Sequence, residues 1–175
     1  MNPFTVIVDI AKRNLGVREV TENQAPEIIK FWQDTNYKEG EKNKEPWCCA
    51  FVVYCITEAA KTGAFKFLGT PPQMASCREL LDWAQDPKNG CTVFTPKDVI
   101  AHKHGPRAGD IVCFIPHFSH VGIIRADYDG TGFIQTIEGN TNVQGEREGD
   151  GVYAKQRRMD LAGFYIRLNQ PTQPS

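Results

Sequence analysis

Residues 45–63, EPWCCAFVVYCITEAAKTG, place two adjacent cysteines between a Pro-Trp pair and an apolar run. Apolar residues recur at helical spacing over residues 48–62 and Gly63 follows them, which predicts a helix that begins at Cys48. On a helical wheel of about 100° per residue, Cys48 lies near the middle of the apolar stripe and Cys49 lies at its edge. Cys48 should therefore face the core at the open end of the helix.

The position of Cys48 in a first helical turn favours a reactive thiol. Unpaired N–H groups and the helix dipole stabilise negative charge there and can lower a thiol pKa. The alternative is a packing residue, because free cysteine is among the most buried residue types. The other five cysteines are interpreted as structural: Cys49, Cys55, Cys77, Cys91 and Cys113.

Six cysteines are an even number, but a disulfide framework is typical of secreted chains shorter than about 100 residues. This chain has 175 residues, of which 41% are hydrophobic, so it can build a core without cross-links. We expect mostly free thiols, and the pairing of Cys77 with Cys91 stays open.

Composition and charge restrict the class of protein. A net charge of −1 does not indicate a partnership with nucleic acid or an anionic membrane surface. No stretch approaches the roughly 20 apolar residues of a transmembrane helix. The N-terminal residues MNPFTVIVDIAKRNLG lack a basic segment, and Asp9 interrupts their apolar run, so they make a poor signal peptide. We expect synthesis in a reducing cytosol and, if the protein acts elsewhere, delivery by another route.

Two halves of the chain carry different periodicities. Helical spacing is predicted at residues 4–15, 26–35, 48–62 and 77–85. From residue 108, short apolar runs separated by Gly, Asp and Pro predict an antiparallel meander, at residues 108–115, 120–127, 133–140, 152–158 and 163–168. The prediction is an α+β fold with N-terminal helices packed on a C-terminal antiparallel β-sheet, one domain over residues 1–168, an exposed loop at 141–151 and a flexible tail at 169–175.

A catalytic thiol needs an imidazole within hydrogen-bond reach and a third group that orients the ring. His120 opens the strand HVGIIRAD and alternates with Gly122 and Ile124 on a face predicted to point inward, with Gly122 leaving room for the ring. His102 and His104 fall in a polar loop, where solvation is expected, and His117 falls in a turn. His120 is therefore the candidate base.

The third group is predicted on the next strand, FIQTIEGN. Glu138 and Asn140 are two residues apart and should share a face, and a hairpin through DYDGTG would place them beside His120. A carboxylate among apolar neighbours is costly unless it is hydrogen-bonded or ion-paired, and a protonated histidine would meet that need. The alternative is a surface glutamate followed by a turn asparagine.

Four motifs in order, PWCCAFV, AGDIVCF, SHVGII and IEGN, resemble those of CHAP domains. These are cysteine- and histidine-dependent amidohydrolases/peptidases of the NlpC/P60-like, papain-related group, and the resemblance covers roughly residues 5–168. It implies that Cys48 is the nucleophile, His120 the general base, Glu138 the residue that orients the base, and Asn140 a polar fourth member. It also implies that the backbone N–H of Cys48 contributes to an oxyanion hole.

Two neighbours of the nucleophile leave questions open. Cys49 stands where family members mostly have a small residue, so the identity of the reacting thiol depends on geometry. Trp47 lies at the helix mouth, where it would either line a substrate groove or fill the core. No calcium site is carried over from the family, because the acidic residues before Cys48 are scattered among lysines.

The resemblance implies acyl transfer on bacterial peptidoglycan without a cofactor. The bond would be either that between muramic acid and L-alanine or a peptide bond in the stem or cross-bridge. A monomer is expected, with no nucleic-acid or membrane partner. The protein would reach the cell wall by one of three routes. It could be a phage lysin released through a holin, an enzyme of a phage tail, or an effector that a secretion system delivers and that has an immunity protein.

Two alternatives belong to other classes. One is a catalytically inactive protein that binds wall peptides. The other is a structural zinc protein, because Cys113, His117 and His120 have a Cys-x3-His-x2-His spacing that His102 or His104 could complete.

Overall fold

The computed structural model describes residues 2–115, 119–144 and 149–169. Within these ranges the α-helices are α1 (Thr5–Arg13), α2 (Pro26–Trp32), α3 (Cys48–Lys61), α4 (Cys77–Gln85) and α5 (Pro96–Ile100). The strands are β1 (Cys91–Phe94), β2 (Ile111–Phe114), β3 (His120–Ile124), β4 (Phe133–Thr141), β5 (Gly151–Arg158) and β6 (Ala162–Leu168). Two parts of the sequence-based prediction lie outside the described residues: residues 170–175 of the predicted tail and residues 145–148 of the predicted loop.

Helix α3 forms the centre of the structure. It begins at Cys48, as the sequence predicts, and ends at Lys61. Gly63 follows with a φ of 80°, a backbone conformation that glycine adopts at little cost. It packs against α1 and α2 on one side and against β3 and β4 on the other. Both Cys48 and Cys49 are buried, so the apolar surface of α3 is wider at its start than the predicted stripe.

The strands form a sheet in the order β1-β6-β2-β3-β4-β5, with every neighbouring pair antiparallel. The predicted meander is found from β2 to β5, and the α+β fold is confirmed. The last strand does not extend the meander, because β6 returns across the sheet to pair with β2. Its other edge pairs with β1, which the sequence analysis missed together with α5.

Each missed element is short. Strand β1 has 4 residues and α5 has 5, too few for a periodic pattern to be recognised. Helix α5 does carry a local signal: Pro96 begins it, and Thr95 and Asp98 form a capping box. The helices therefore do not all precede the strands, since α5 lies between β1 and β2.

Apolar side chains pack on both faces of the sheet. The helix-facing core joins α1 and α3 to strand residues that include Ile111, Cys113, Val121, Ile123 and Ile137. The opposite face holds a second cluster, which includes Val112, Phe114, Ile124, Ile134 and Tyr165. None of the helices in the described ranges has the length and apolar character needed to cross a membrane.

Gly139 sets the distance between β4 and the start of α3. A Cβ atom at this position would lie 2.7 Å from the ring of Trp47 and 2.9 Å from Phe51, two side chains with no exposed surface. Real Cβ contacts are longer, so the strand approaches the helix this closely only because residue 139 is glycine.

We expect Gly139→Ala to lower the free energy of unfolding by about 1–3 kcal/mol, because buried rings must shift to admit the methyl group. Urea unfolding measures the change. Gly105→Ala is the matched control, since a Cβ at residue 105 has no atom within 4 Å. Equal stability of the two variants would contradict the close approach of β4 to α3.

Candidate active site

The sulfur of Cys48 lies where α3 begins, beside the chain segment that leads into β3. It is 4.0 Å from the carbonyl oxygen of Ser119, the residue that precedes His120. Only 3% of Cys48 is exposed. The N-cap residue Trp47 provides no side-chain cap, so among the described residues the first N–H groups of α3 are directed outward from the helix end.

His120 is held by contacts on two sides of its ring. Its imidazole stacks on Phe114, which is its cross-strand partner on β2, at 5.8 Å between ring centroids. Nε2 lies 2.9 Å from Oε2 of Glu138. Nδ1 is buried and makes no hydrogen bond of ordinary geometry within the described residues. Nδ1 is thus the ring atom left to exchange a proton with Cys48, with which the imidazole interacts.

Glu138 has no exposed surface and accepts three sets of hydrogen bonds. Besides His120, the hydroxyl of Thr136 donates to Oε1 at 2.6 Å, and Arg157 donates through Nε to Oε1 at 2.9 Å and through Nη2 to Oε2. Burial alone would raise the pKa of Glu138, but Arg157 and His120 outweigh it and lower the pKa to about 2. The group is therefore a carboxylate at neutral pH.

Gly122 makes room for Glu138 rather than for the histidine ring. A Cβ at Gly122 would lie 2.7 Å from Cγ of Glu138. The face shared by His120, Gly122 and Ile124 is buried as predicted, but Ile124 belongs to the cluster on the side away from α3. His120 can still meet Cys48 because it is the first residue of its strand.

Arg157, like Thr136, is a partner of Glu138 that the sequence analysis missed. It lies on β5 opposite Ile134, on the sheet face that carries Thr136 and Glu138, and its long side chain reaches back to the carboxylate. Its guanidinium also lies over the ring of Phe114, at 5.4 Å from the centroid. The alternation of long polar residues in VYAKQRR was the available signal, but the β4–β5 register was needed to interpret it.

The thiol pKa does not follow the prediction from the helix start. Contact with the Cys77 thiol and burial raise the pKa of Cys48 well above its ordinary value, although His120 acts to lower it. Burial would lower the pKa of His120, but Cys48 and Glu138 outweigh it and raise the pKa to about 9. The imidazole therefore takes up and holds a proton readily, and the prediction of a depressed thiol pKa is wrong.

Asn140 does not join this cluster. The β4–β5 register is irregular between Glu138 and Thr141, and Asn140 has a positive φ of 54°, so the expected alternation is broken. With its amide nitrogen turned toward oxygen acceptors, Asn140 lies 3.1 Å from Glu19, 3.1 Å from Asn23 and 3.0 Å from the carbonyl of Gly149. The prediction that it shares the face of Glu138 is wrong.

Trp47 fills the core. It has no exposed surface, stacks on Phe31 and donates from Nε1 to Oε1 of Glu19 at 2.8 Å. The prediction that it lines a substrate groove is therefore wrong, and the core interpretation is correct. Glu19 accepts hydrogen bonds from both Trp47 and Asn140. These two candidate site residues therefore take part in a structural hydrogen-bond network.

A groove of about 560 Å³ opens over Cys48. Its lining combines aromatic, small and charged residues: Trp32, Asn36, Tyr37, Glu45, Pro46, Ala75, Ser76, Cys77, Arg78, Glu79 and Ser119. Cys48 belongs to the same lining. A substrate in this groove would therefore meet the thiol directly.

The described residues of the zinc alternative do not assemble. Cys113 packs in the helix-facing core, whereas His120 stacks on Phe114 on the other face. His102 and His104 line a different cavity, and His117 lies outside the described residues. Over residues 2–115, 119–144 and 149–169, no three His, Cys, Asp or Glu side chains are grouped to hold a metal ion.

All six cysteines are free. The sulfur of Cys77 lies 3.7 Å from that of Cys48, whereas Cys91 directs its thiol to the carbonyl of Asn89. The pairing of Cys77 with Cys91 is thus not the arrangement found.

The CHAP domain family matches residues 40–140 of the chain. No curated protein sequence matches it significantly. The matched segment includes Cys48, His120 and Glu138, the three residues that the structure brings together, but it ends before Arg157.

The chain is similar in fold to the crystal structure of Ly7917, with a TM-score of 0.50 and 16% identity over 94% of this chain and 62% of that chain. A structure of Ly7917 with the hydrolyzing product of MDP gives a TM-score of 0.40 and 15% identity at the same coverage. The chain therefore spans less than two thirds of the length of Ly7917. At this identity the likeness concerns the fold alone.

Replacing Arg157 tests the buried ion pair. We expect Arg157→Met to lower the free energy of unfolding by about 3 kcal/mol, because Glu138 loses its main compensating charge. Arg158→Met is the matched control, since its ion pair with Asp160 is exposed and its loss should change little. Urea unfolding of both variants gives the comparison, and equal effects would contradict the role of Arg157.

Acid should weaken the same interaction. Because the folded-state pKa of Glu138 is depressed, its stabilisation is present above its ordinary pKa of 4.5 and is lost as the pH falls toward about 2. We expect Glu138→Gln to be less stable than the natural chain near pH 7 and the difference to shrink between these values. Urea unfolding across the pH range measures it, and a constant difference would exclude a depressed pKa.

Proposed function

Because this chain belongs to the CHAP domain family, we propose that it is a cysteine-dependent hydrolase that cleaves amide bonds of bacterial peptidoglycan. The observation that carries the proposal is the arrangement of His120. One ring nitrogen is 2.9 Å from a buried carboxylate, the other has no hydrogen-bond partner among the described residues and is available to Cys48, and Cys48 lines an open groove. This is the geometry that nucleophilic catalysis by a thiol requires.

In the first half of the reaction, Cys48 loses its proton to Nδ1 of His120 and its sulfur attacks the amide carbonyl carbon. The tetrahedral intermediate collapses when His120 donates that proton to the leaving amine nitrogen, and the C–N bond breaks. A thioester of Cys48 remains. The acceptor in this step is the neutral imidazole. The raised pKa of His120 stabilises the imidazolium that forms, and so assists a thiol that gives up its proton reluctantly.

In the second half, water replaces the amine. His120 removes a proton from the water, the oxygen attacks the thioester, and the Cys48 thiol leaves with the proton from His120. Glu138 fixes the ring through Nε2 and stabilises its positive charge in both halves. Arg157 is a positioning residue that acts through Glu138.

The start of α3 supplies the site for the developing oxyanion. Backbone N–H groups of a first helical turn have no partner within the helix, and the dipole favours negative charge there. We propose that the N–H of Cys48 contributes, and the lack of a side-chain cap from the N-cap residue Trp47 supports this.

The groove suits a peptide. Its lining combines Glu45, Arg78 and Glu79 with aromatic rings, which suits a peptide that carries both charges. We propose cleavage either between muramic acid and L-alanine or within the stem or cross-bridge peptide. The cell wall would be the place of action, as for a phage lysin, a tail enzyme or a delivered effector.

Digestion of purified peptidoglycan, followed by mass analysis of the released fragments, tests for hydrolysis and identifies the bond that is cut. A muramoyl–alanine cut separates glycan from intact stem peptide, whereas an endopeptidase cut shortens the peptide. Binding to the wall without released fragments would instead identify an inactive wall-peptide-binding protein.

Two single substitutions distinguish the adjacent thiols. We expect Cys48→Ala to reduce turnover by at least about 1,000-fold, because no other group replaces the nucleophile. Cys49→Ala should keep most activity, since the Cys49 thiol is fully buried and directed to the carbonyl of Met74. Fragment release from peptidoglycan measures both, with circular dichroism to verify folding. The reverse result would make Cys49 the nucleophile.

A further inference from the structure

Two thiols meet at the floor of the groove. Cys48 begins α3 and Cys77 begins α4, and their sulfurs are 3.7 Å apart although they are 29 positions apart in the chain. We propose that Cys48 and Cys77 form an oxidisable pair, in which peroxide closes a reversible disulfide that blocks the nucleophile. The inference rests on the proposed function for its effect on catalysis, but not for the disulfide itself.

The geometry favours this pair over the other thiols. A disulfide requires sulfurs about 2.05 Å apart, so the two atoms need only approach by less than 2 Å. Of the six cysteines, Cys48 and Cys77 are the two that line the groove, where a small oxidant can reach them. Cys49 also contacts Cys77, but it has no exposed surface and its thiol is directed to the carbonyl of Met74. Cys91 is directed to Asn89.

The imidazole that serves hydrolysis also serves the first oxidation step. As the Cys48 sulfur attacks one peroxide oxygen, its proton passes to His120, the O–O bond breaks, and the departing hydroxide takes the proton to become water. Cys48 is then a sulfenic acid. No comparable base contacts Cys77 among the described groups that influence it, so Cys48 is the thiol oxidised first.

Cys77 completes the reaction. Its sulfur attacks the sulfenic sulfur of Cys48, the S–O bond breaks, and the hydroxyl leaves as water with the proton of Cys77. In sum, two thiols and one hydrogen peroxide give one disulfide and two waters. The bond protects Cys48 from irreversible sulfinic acid, and exchange with an external thiol restores both cysteines.

The test treats the full chain with excess hydrogen peroxide, blocks remaining thiols, and maps the peptides by mass spectrometry. We expect a linked peptide that joins Cys48 to Cys77, more than about tenfold loss of peptidoglycan hydrolysis, and recovery after dithiothreitol. Sulfinic acid on Cys48 without the linked peptide would overturn the proposal.

Variants separate the pair from general oxidation, each measured against its own untreated activity. Cys77→Ala should gain sulfinic acid on Cys48 and recover little activity with dithiothreitol, whereas Cys49→Ala should recover like the natural chain. Cys77→Ser serves if the alanine variant does not fold. Full recovery of the Cys77 variants would refute the pair.

The two proposals fail in different ways. A linked peptide in a protein that releases no wall fragments when reduced would support the pair and refute the hydrolase. If the reduced protein releases wall fragments but forms no linked peptide after peroxide, the result would support the hydrolase and refute the pair.

Discussion

A buried negative charge governs the candidate site. Glu138 has no contact with solvent, and an ion in that position costs several kcal/mol unless neighbours replace its hydration. Arg157 on β5, Thr136 on β4 and His120 on β3 do so together. The carboxylate thereby ties three adjacent strands on one face of the sheet and holds the imidazole in a single orientation.

The site is assembled from both sides of the sheet. Cys48 comes from the helix-facing side, while His120 and Glu138 carry their side chains on the other face. They meet because His120, the first residue of β3, directly follows Ser119, whose carbonyl oxygen lies 4.0 Å from the Cys48 sulfur. Two glycines permit the arrangement: Gly139 brings β4 against α3, and Gly122 leaves space for Glu138.

Local and tertiary effects oppose each other at the thiol. The start of a helix stabilises a thiolate, but burial and the neighbouring Cys77 raise the pKa of Cys48. The proton-accepting strength of His120 therefore matters more for the proposed chemistry than a preformed thiolate. The same close contact with Cys77 offers the oxidation route that we propose.

The sequence by itself determined the helix that begins at Cys48, the strand that His120 opens, and the strand that carries Glu138. Helical spacing, strand alternation and turn residues are local properties, so they can be recognised from neighbouring letters. Only the tertiary structure decided that Arg157 reaches Glu138, that Asn140 turns toward Glu19, that β6 returns to β2, and that Cys77 meets Cys48. Each of these depends on strand register, an irregularity in β4 or contacts between distant segments, and no local pattern encodes them.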